Sequence, residues 1–332
     1  MASSCRVVVA AAGLAVVGVC AGFAPAAGVG KLEIRRIDTG SYPSIRVLVV
    51  LPATSQTAPT LTDDGQAVSG LTAENLAGHE SVALVVDHSQ SMHGRTLVDA
   101  THAATAFVNE KPAAEQIAVF AVGAEATSLT GFSTDGSDAA DVLQGLSVDE
   151  HYGTVLWDAV RLAANSLRHS GLRGRTIIIL TDGQNTTSKT TLQGAIKAAR
   201  AARAAVYTIG IPDSTYQPKP LEQLAAATGG HFYRAPSSAQ LPTIYREIGS
   251  ELRRTWLLVY PTADRPGDKL TVVVRYHDQR AAATTTLSPT LGNPVGNGNG
   301  ALQVLRGLAI AAAVLTAAVL LIRIPMRRRR WR

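Results

Sequence analysis

The sequence predicts an α/β domain with a doubly wound, mostly parallel sheet, inserted into a small β-sandwich and followed by one C-terminal membrane helix. Three observations predict this. Short apolar runs alternate with helical patterns across residues 79–253, β-type patterns lie on both sides of this region, and an arginine-flanked apolar stretch comes near the end. Strands that alternate with helices favour a parallel sheet covered by helices on both faces.

The N-terminus has the pattern of a secretory signal peptide. Arg6 precedes an apolar run over residues 7–19, and Ala24-Pro25-Ala26 fits the small-residue cleavage motif. We therefore predict that residues 1–26 are a signal peptide, with an uncleaved N-terminal membrane helix as the alternative.

Both cysteines lie inside this segment. Cys20 allows a lipoprotein anchor as an alternative to cleavage of a signal peptide. Val19 argues against it, because such signals favour Gly or Ala before the cysteine. Since Cys5 is the other cysteine, the mature chain has no thiol for a disulfide or a thiolate metal site.

Two β-type segments flank the α/β region of residues 79–253. Residues 31–76 and 254–288 each contain too few strand patterns to bury a core alone. We predict that they pair into one β-sandwich. The stretch 261–268 predicts a hairpin-like connection between two strands of the second segment.

The C-terminus has the pattern of a membrane anchor. Residues 289–302 form a Gly- and Asn-containing linker, 303–324 the predicted transmembrane helix, and 325–332 a basic tail. The apolar part spans about 24 Å as a helix, and flanking arginines can extend its reach towards a core of about 30 Å. The positive-inside rule places the tail in the cytoplasm and the remainder outside it. A buried core helix is the alternative, against which the basic cluster argues.

The charge distribution argues against nucleic acid as a partner. Of the net charge of +6, seven arginines at or after position 306 and Arg6 contribute eight positive charges, which leaves −2 for the remainder. The basic excess belongs to the anchor and the signal peptide, and the exported part is nearly neutral.

Oxygen-bearing side chains follow two buried strands. Asp87 comes directly after the apolar run 82–86, and Asp182 follows the run 176–180 by one residue. Ligands collect beyond the carboxyl ends of parallel strands, and Ser89 and Ser91 alternate with Asp87 so that all three point the same way. Carboxylates and hydroxyls suit Mg²⁺, with Mn²⁺ or Ca²⁺ as alternatives, and too few charges are present to close the coordination shell.

Three motifs together carry a family resemblance. They are D-x-S-x-S at Asp87, Ser89 and Ser91, G-T-V-L-W-D-A-V around Thr154, and T-D-G around Asp182. In this order they resemble the metal-ion-dependent adhesion site (MIDAS) of von Willebrand factor A-type (VWA) domains, over residues 79–253. The resemblance implies a Rossmann-like doubly wound sheet with the site at its top. It also implies that the two serines and Thr154 supply hydroxyls, while the two aspartates supply charge directly or through water.

Several neighbours leave alternatives open. Gln90 stands where many bacterial members have Gly, and we expect its side chain to point away. His88 and His93 suit a solvated rim, with a softer metal or a pH response as the alternative. Asp158 fits either a support for the site or a helix-start carboxylate. Asn185 begins a glycosylation sequon, but a loop at the rim of the site is the preferred interpretation.

The predicted function is binding, and the chain is not expected to be an enzyme. Ser89 has no evident base and acid for a triad, and no glycine loop for phosphate follows a buried strand. We expect an extracytoplasmic, membrane-anchored VWA domain that docks a carboxylate of a protein partner on the ion. The resemblance suggests a link to surface-pilus or secretion machinery. A scaffold with a structural metal and a metal-dependent hydrolase are the alternatives.

Overall fold

The computed structural model describes residues 30–213 and 216–287. The predicted signal peptide, the linker, the membrane helix and the basic tail all lie outside the described residues. Within the described part of the chain, no helix is long and apolar enough to cross a membrane.

The described chain contains fourteen strands and six α-helices. The first segment forms β1 (Glu33–Ser41), β2 (Ser44–Val50), β3 (Thr60–Asp63), β4 (Gln66–Ala67) and β5 (Thr72–Asn75). The central region forms β6 (Glu80–Asp87), α1 (Arg95–Asn109), β7 (Gln116–Val122), β8 (Ala126–Ser128), α2 (Ser137–Gln144), α3 (Leu156–Leu167), β9 (Gly174–Thr181), α4 (Leu192–Ala201), β10 (Ala205–Gly210), α5 (Pro218–Thr228), β11 (Phe232–Arg234) and α6 (Leu241–Leu252). The last segment forms β12 (Thr255–Pro261), β13 (Lys269–Tyr276) and β14 (Gln279–Thr286).

The central region forms a six-stranded sheet in the order β11-β10-β9-β6-β7-β8. All neighbours pair in parallel except β7 and β8, which are antiparallel. Every residue of β6 is buried, as expected for an apolar strand covered on both faces. The helices divide between the faces, with α1, α2 and α6 on one and α3, α4 and α5 on the other. The predicted doubly wound, mostly parallel α/β sheet is confirmed.

The flanking segments form two four-stranded sheets that share one hydrophobic core. Their orders are β1-β2-β12-β5 and β14-β13-β3-β4, so each sheet contains strands from before and after the α/β region. Along β2 buried residues alternate with half-exposed ones, which is typical of a strand with one face on a core.

The hairpin expected across residues 261–268 is wrong. Strand β12 pairs with β2 and β5 in one sheet, while β13 pairs with β14 and β3 in the other. Because both edges of β12 are already occupied, the chain crosses to the second sheet instead of folding back.

The sandwich contacts the α/β domain at the amino ends of the parallel strands. Arg35 Nη2 in β1 lies 2.7 Å from Glu251 Oε1 in α6, and the hydroxyl of Tyr207 donates to the same oxygen at 2.8 Å. Arg36 donates to the carbonyl of Ala204, which follows α4, and to that of Thr228, the last residue of α5. These contacts leave the carboxyl ends of the sheet free, where the candidate site lies.

Candidate metal site

Asp87 and Asp182 lie at the same edge of the sheet because their strands are neighbours. Asp87 is the last residue of β6, which pairs in parallel with β9, and Asp182 follows β9 directly. Both are buried, with exposed fractions of 0% and 2%. The order of the strands therefore brings together the two carboxylates that the sequence placed in one site.

Ser89 and Ser91 lie on the loop after β6. The amide of Ser89 donates to Asp87 Oδ1 at 2.9 Å, which turns the loop back over the end of the strand. The two serine Oγ atoms are 3.1 Å apart. The hydroxyl of Ser91 is close enough to Asp182 to lower the pKa of that carboxyl, against the larger effect of burial. The three alternating positions therefore converge, as their spacing predicts.

Thr154 is held beside the loop that follows Asp182 by hydrogen bonds to that loop. It is buried, and its amide donates to Thr186 Oγ1 at 2.8 Å. In return, the amides of Thr186 and Thr187 donate to the carbonyl of Thr154 at 3.0 and 3.3 Å. The segment before α3 is thus fixed to the loop after β9.

Two glycines permit this close approach. Gly153 has φ +119°, and a Cβ there would lie 2.7 Å from Thr187 Oγ1. Gly183 has φ +89°, and a Cβ would lie 3.2 Å from the Tyr216 ring. Residues with a Cβ rarely adopt a positive φ. The backbone conformation and the lack of space for a Cβ therefore both favour glycine next to Thr154 and next to Asp182.

The electrostatics of the site fit a bound cation. Burial and the charge of Asp182 together raise the pKa of Asp87 to about 6, against the opposing effect of hydrogen bonds from Ser89 and Thr181. Burial also raises the pKa of Asp182, whose Oδ2 is buried without a hydrogen-bond partner among the described residues. A buried acceptor left unsatisfied is costly, and two buried like charges repel. A divalent ion bound by these oxygens would remove both costs.

Two supporting threonines were not predicted from the sequence. Thr181 donates from Oγ1 to Asp87 Oδ2 at 2.6 Å and accepts from the amide of Gly183 at 3.0 Å. Thr186 holds Thr154, as described above. Thr181 is part of the T-D-G motif. However, threonine is common at the ends of strands, and the sequence alone does not show that its hydroxyl binds a carboxylate of the site.

The remaining predicted neighbours lie around the site. Gln90 does point away, and its amide donates to the carbonyl of Glu150, which ties the two loops together. Asp158 accepts from the amides of Lys189 and Thr190, so it supports the loop after β9. Asn185 lies in the same loop after β9. Its Oδ1 accepts a hydrogen bond at 3.4 Å from the amide of Trp157, in the first turn of α3.

The two histidines make contacts with backbone carbonyls. Nδ1 of His88 lies 2.8 Å from the carbonyl of Ser147, and Nδ1 of His93 lies 3.0 Å from that of Gln90. His93 is exposed and His88 is half-buried. These positions are those of a rim.

A second group of carboxylates lies elsewhere in the described chain. Ligand oxygens of Asp63, Asp64 and Asp264 lie within 4.8 Å of one another in the sandwich, on the β3–β4 turn and the connection after β12. Acidic groups of this kind are common without an ion, and this group shares no residue with the site at the sheet edge.

Comparison with known proteins identifies the family. The profile of the von Willebrand factor type A domain matches residues 81–247, which is half of the 332-residue chain. The matched region contains the parallel sheet and all five candidate ligands. The chain therefore belongs to the VWA family. A search of curated proteins finds no match.

Several solved structures are similar to this chain. A von Willebrand factor type A protein from Catenulispora acidiphila is 13% identical, with a TM-score of 0.50 over 80% of this chain and 74% of that one. Proximal thread matrix protein 1 from the mussel byssus, solved with a zinc-occupied MIDAS motif, is 18% identical, with a TM-score of 0.50 over 57% and 49%. An aerotolerance-related membrane protein from Bacteroides fragilis is 20% identical, with a TM-score of 0.44 over 52% and 98%.

Proposed function

We propose that this chain is a membrane-anchored, extracytoplasmic protein whose VWA domain binds a protein partner through Mg²⁺. The ion would be held by Asp87, Ser89, Ser91, Thr154 and Asp182. The proposal rests on Asp182 Oδ2, which is buried and has no hydrogen-bond partner in the part of the chain that the structure describes. A second buried carboxylate, that of Asp87, lies at the same open edge of the sheet.

The donor set supports both the ion and its use in binding. Every candidate ligand atom is oxygen, which favours Mg²⁺, Mn²⁺ or Ca²⁺ over ions that prefer nitrogen or sulfur. The mussel protein holds zinc at its MIDAS motif, so the fold accommodates a divalent ion at such a motif. An octahedral ion has six coordination positions. Two carboxylates and three hydroxyls offer five ligands, so a carboxylate from a partner suits the remaining position.

The proposed location rests on the two ends of the sequence. Residues 1–26 have the signal-peptide pattern and residues 303–332 have the pattern of a membrane helix with a basic tail. Protease added outside intact cells should then remove residues 31–300. Full protection of that region would reject the proposed orientation.

The test of the binding role combines ion removal with one ligand variant. Crosslinkers placed at residues 184–187, on the rim, should capture a partner from intact cells for identification by mass spectrometry. Capture should be lost in EDTA and in Asp87→Ala, and retained in Asp141→Ala, which removes an exposed carboxylate on α2. Capture that persists in EDTA and in Asp87→Ala would reject docking on the ion and favour a scaffold with a structural metal.

A further inference from the structure

A cavity lined by arginines lies between the sandwich and the α/β domain, at the end of the sheet opposite the metal site. Its volume is about 30 Å³, room for one or two water molecules. Arg173 and Arg203 have side chains 64% and 45% exposed, so they mark its mouth. Five arginines line the cavity: Arg36, Arg46, Arg173, Arg175 and Arg203.

Few carboxylates balance these charges. Asp38 lies 3.9 Å from Arg203 Nε, and Glu74 lies 3.2 Å from Arg173 Nη1. Glu80 also lines the cavity, but burial raises its pKa to about 8, so it is mainly neutral at pH 7. Guanidinium groups stay charged. The cavity therefore has a surplus of positive charge in a chain whose exported part is nearly neutral.

Two of the arginines have a structural role. Arg36 donates to the carbonyls of Ala204 and Thr228, and Arg175 donates to those of Ala202 and Ser170. Two of these carbonyls, those of Thr228 and Ala202, lie at the C-terminal ends of α5 and α4, where a positive charge is favourable. These contacts explain why Arg36 and Arg175 are present without any ligand.

Arg46 has no such explanation. It lies on β2, between β1 and β12, and it is half-buried. Its guanidinium makes no hydrogen bond or ion pair with any residue in the described ranges. Burial and the charges of Arg203 and Arg173 lower its pKa, while Asp38, its neighbour across the strand pair, and Glu74 oppose the shift. Asp38 and Glu74 are engaged by Arg203 and Arg173, so the half-buried guanidinium of Arg46 keeps all of its N–H donors free of contacts with the described residues. Unused donors of a partly desolvated charge are unfavourable, and a bound anion would satisfy them.

We propose that the mouth of this cavity binds a phosphate-type oxyanion, with Arg46 behind it and Arg173 and Arg203 at its sides. The planar guanidinium fork matches the oxygens of such an anion. The cavity itself is too small for the whole group, so the anion lies at the exposed mouth. Free phosphate and a phospholipid headgroup share this chemistry. The proposal is independent of the metal site and of the partner.

Calorimetric titration of the full-length chain with inorganic phosphate tests this site, with sodium chloride at equal ionic strength as the reference. Arg46→Gln should weaken phosphate binding roughly tenfold to hundredfold, and Arg46→Lys should weaken it less. Arg95→Gln is the matched control, since that side chain is 91% exposed on α1. If Arg46→Gln does not fold, Arg173→Gln at the mouth replaces it.

A second titration separates the two sources. It compares water-soluble dihexanoyl-phosphatidylglycerol with dihexanoyl-phosphatidylcholine. An Arg46-dependent response to free phosphate supports a soluble ligand, and one confined to the phosphatidylglycerol supports a headgroup. Equal responses to phosphate and chloride, no response to any probe, or responses unchanged in Arg46→Gln would each overturn the proposal.

Discussion

Replacing Glu80 with Gln should remove a pH dependence of stability that the fold imposes. Glu80 begins β6, is 2% exposed, and accepts a hydrogen bond from Thr176 Oγ1 at 2.6 Å. Burial, with a smaller effect of the charges of Glu115 and Glu251, raises its pKa from 4.5 to about 8, against the opposing effect of the Thr176 hydrogen bond. The folded protein therefore binds a proton here that the unfolded chain releases.

The sign and size follow from proton linkage. Because the folded pKa is raised, the stabilisation is complete below pH 4.5 and is lost as pH rises towards 8. Between these values the free energy of unfolding should fall by about 1.4 kcal/mol per pH unit, to a total of about 5 kcal/mol at most. Gln cannot ionise, so Glu80→Gln should lack this contribution.

Urea unfolding at pH 5, 6, 7 and 7.5, followed by circular dichroism, measures the effect. The free energy of unfolding of Glu80→Gln, minus that of the unaltered chain, should increase by about 1.4 kcal/mol per pH unit. For Glu222→Gln, at an exposed position on α5, the same difference should not change with pH. A flat difference for Glu80→Gln would refute the reasoning. It would mean that Glu80 is ionised in the folded protein, with the cavity arginines as its counter-charges.

Three further predictions concern the ion and the junction. Mg²⁺ at a hundred times its dissociation constant should raise the free energy of unfolding by about 2.7 kcal/mol. This rise should disappear when EDTA removes the ion and in the Asp182→Asn variant. A melting temperature of Asp182→Asn that still increased with Mg²⁺ would count against the site. Thr181→Val removes the hydrogen bond to Asp87 Oδ2 and should weaken Mg²⁺ binding about tenfold to hundredfold; calorimetry showing unchanged affinity would contradict a supporting role. Arg35→Met leaves Glu251 without its charge partner and should cost about 3–5 kcal/mol in urea unfolding, much of it recovered in the double variant with Glu251→Met; a loss below about 1 kcal/mol would show that the pair behaves like an exposed one.

The elements of the α/β domain could be predicted from the sequence because its central strands are apolar on both faces. The runs 82–86 and 176–180 lie within β6 and β9, and their following aspartates meet because those strands are neighbours. The carboxyl-end rule for parallel sheets requires only that the sheet be parallel.

The connections between the two sandwich sheets could not be predicted in this way. Strand β12 has an apolar pattern that fits several partners, and its pairing with both β2 and β5 depends on segments distant in the sequence. The partners of the residues around the site could not be predicted for a similar reason, although support of the site was one of the two roles considered for Asp158. Gln90 reaches a carbonyl 60 residues away, and Asp158 reaches amides 31 and 32 residues away. Polar side chains with such partners look like ordinary surface residues in a sequence.

The α/β domain is attached to the sandwich at two points. Strand β5 ends at Asn75 shortly before β6 begins at Glu80, and α6 ends at Leu252 shortly before β12 begins at Thr255. Because β5 and β12 are antiparallel neighbours, both attachments leave from the same end of one sheet, and the domain cannot swivel about a single bond. Tension along β12 would act across its seven registered pairs with β2, whose hydrogen bonds run perpendicular to the strands. Those bonds would be sheared together instead of being opened one by one, which resists mechanical rupture.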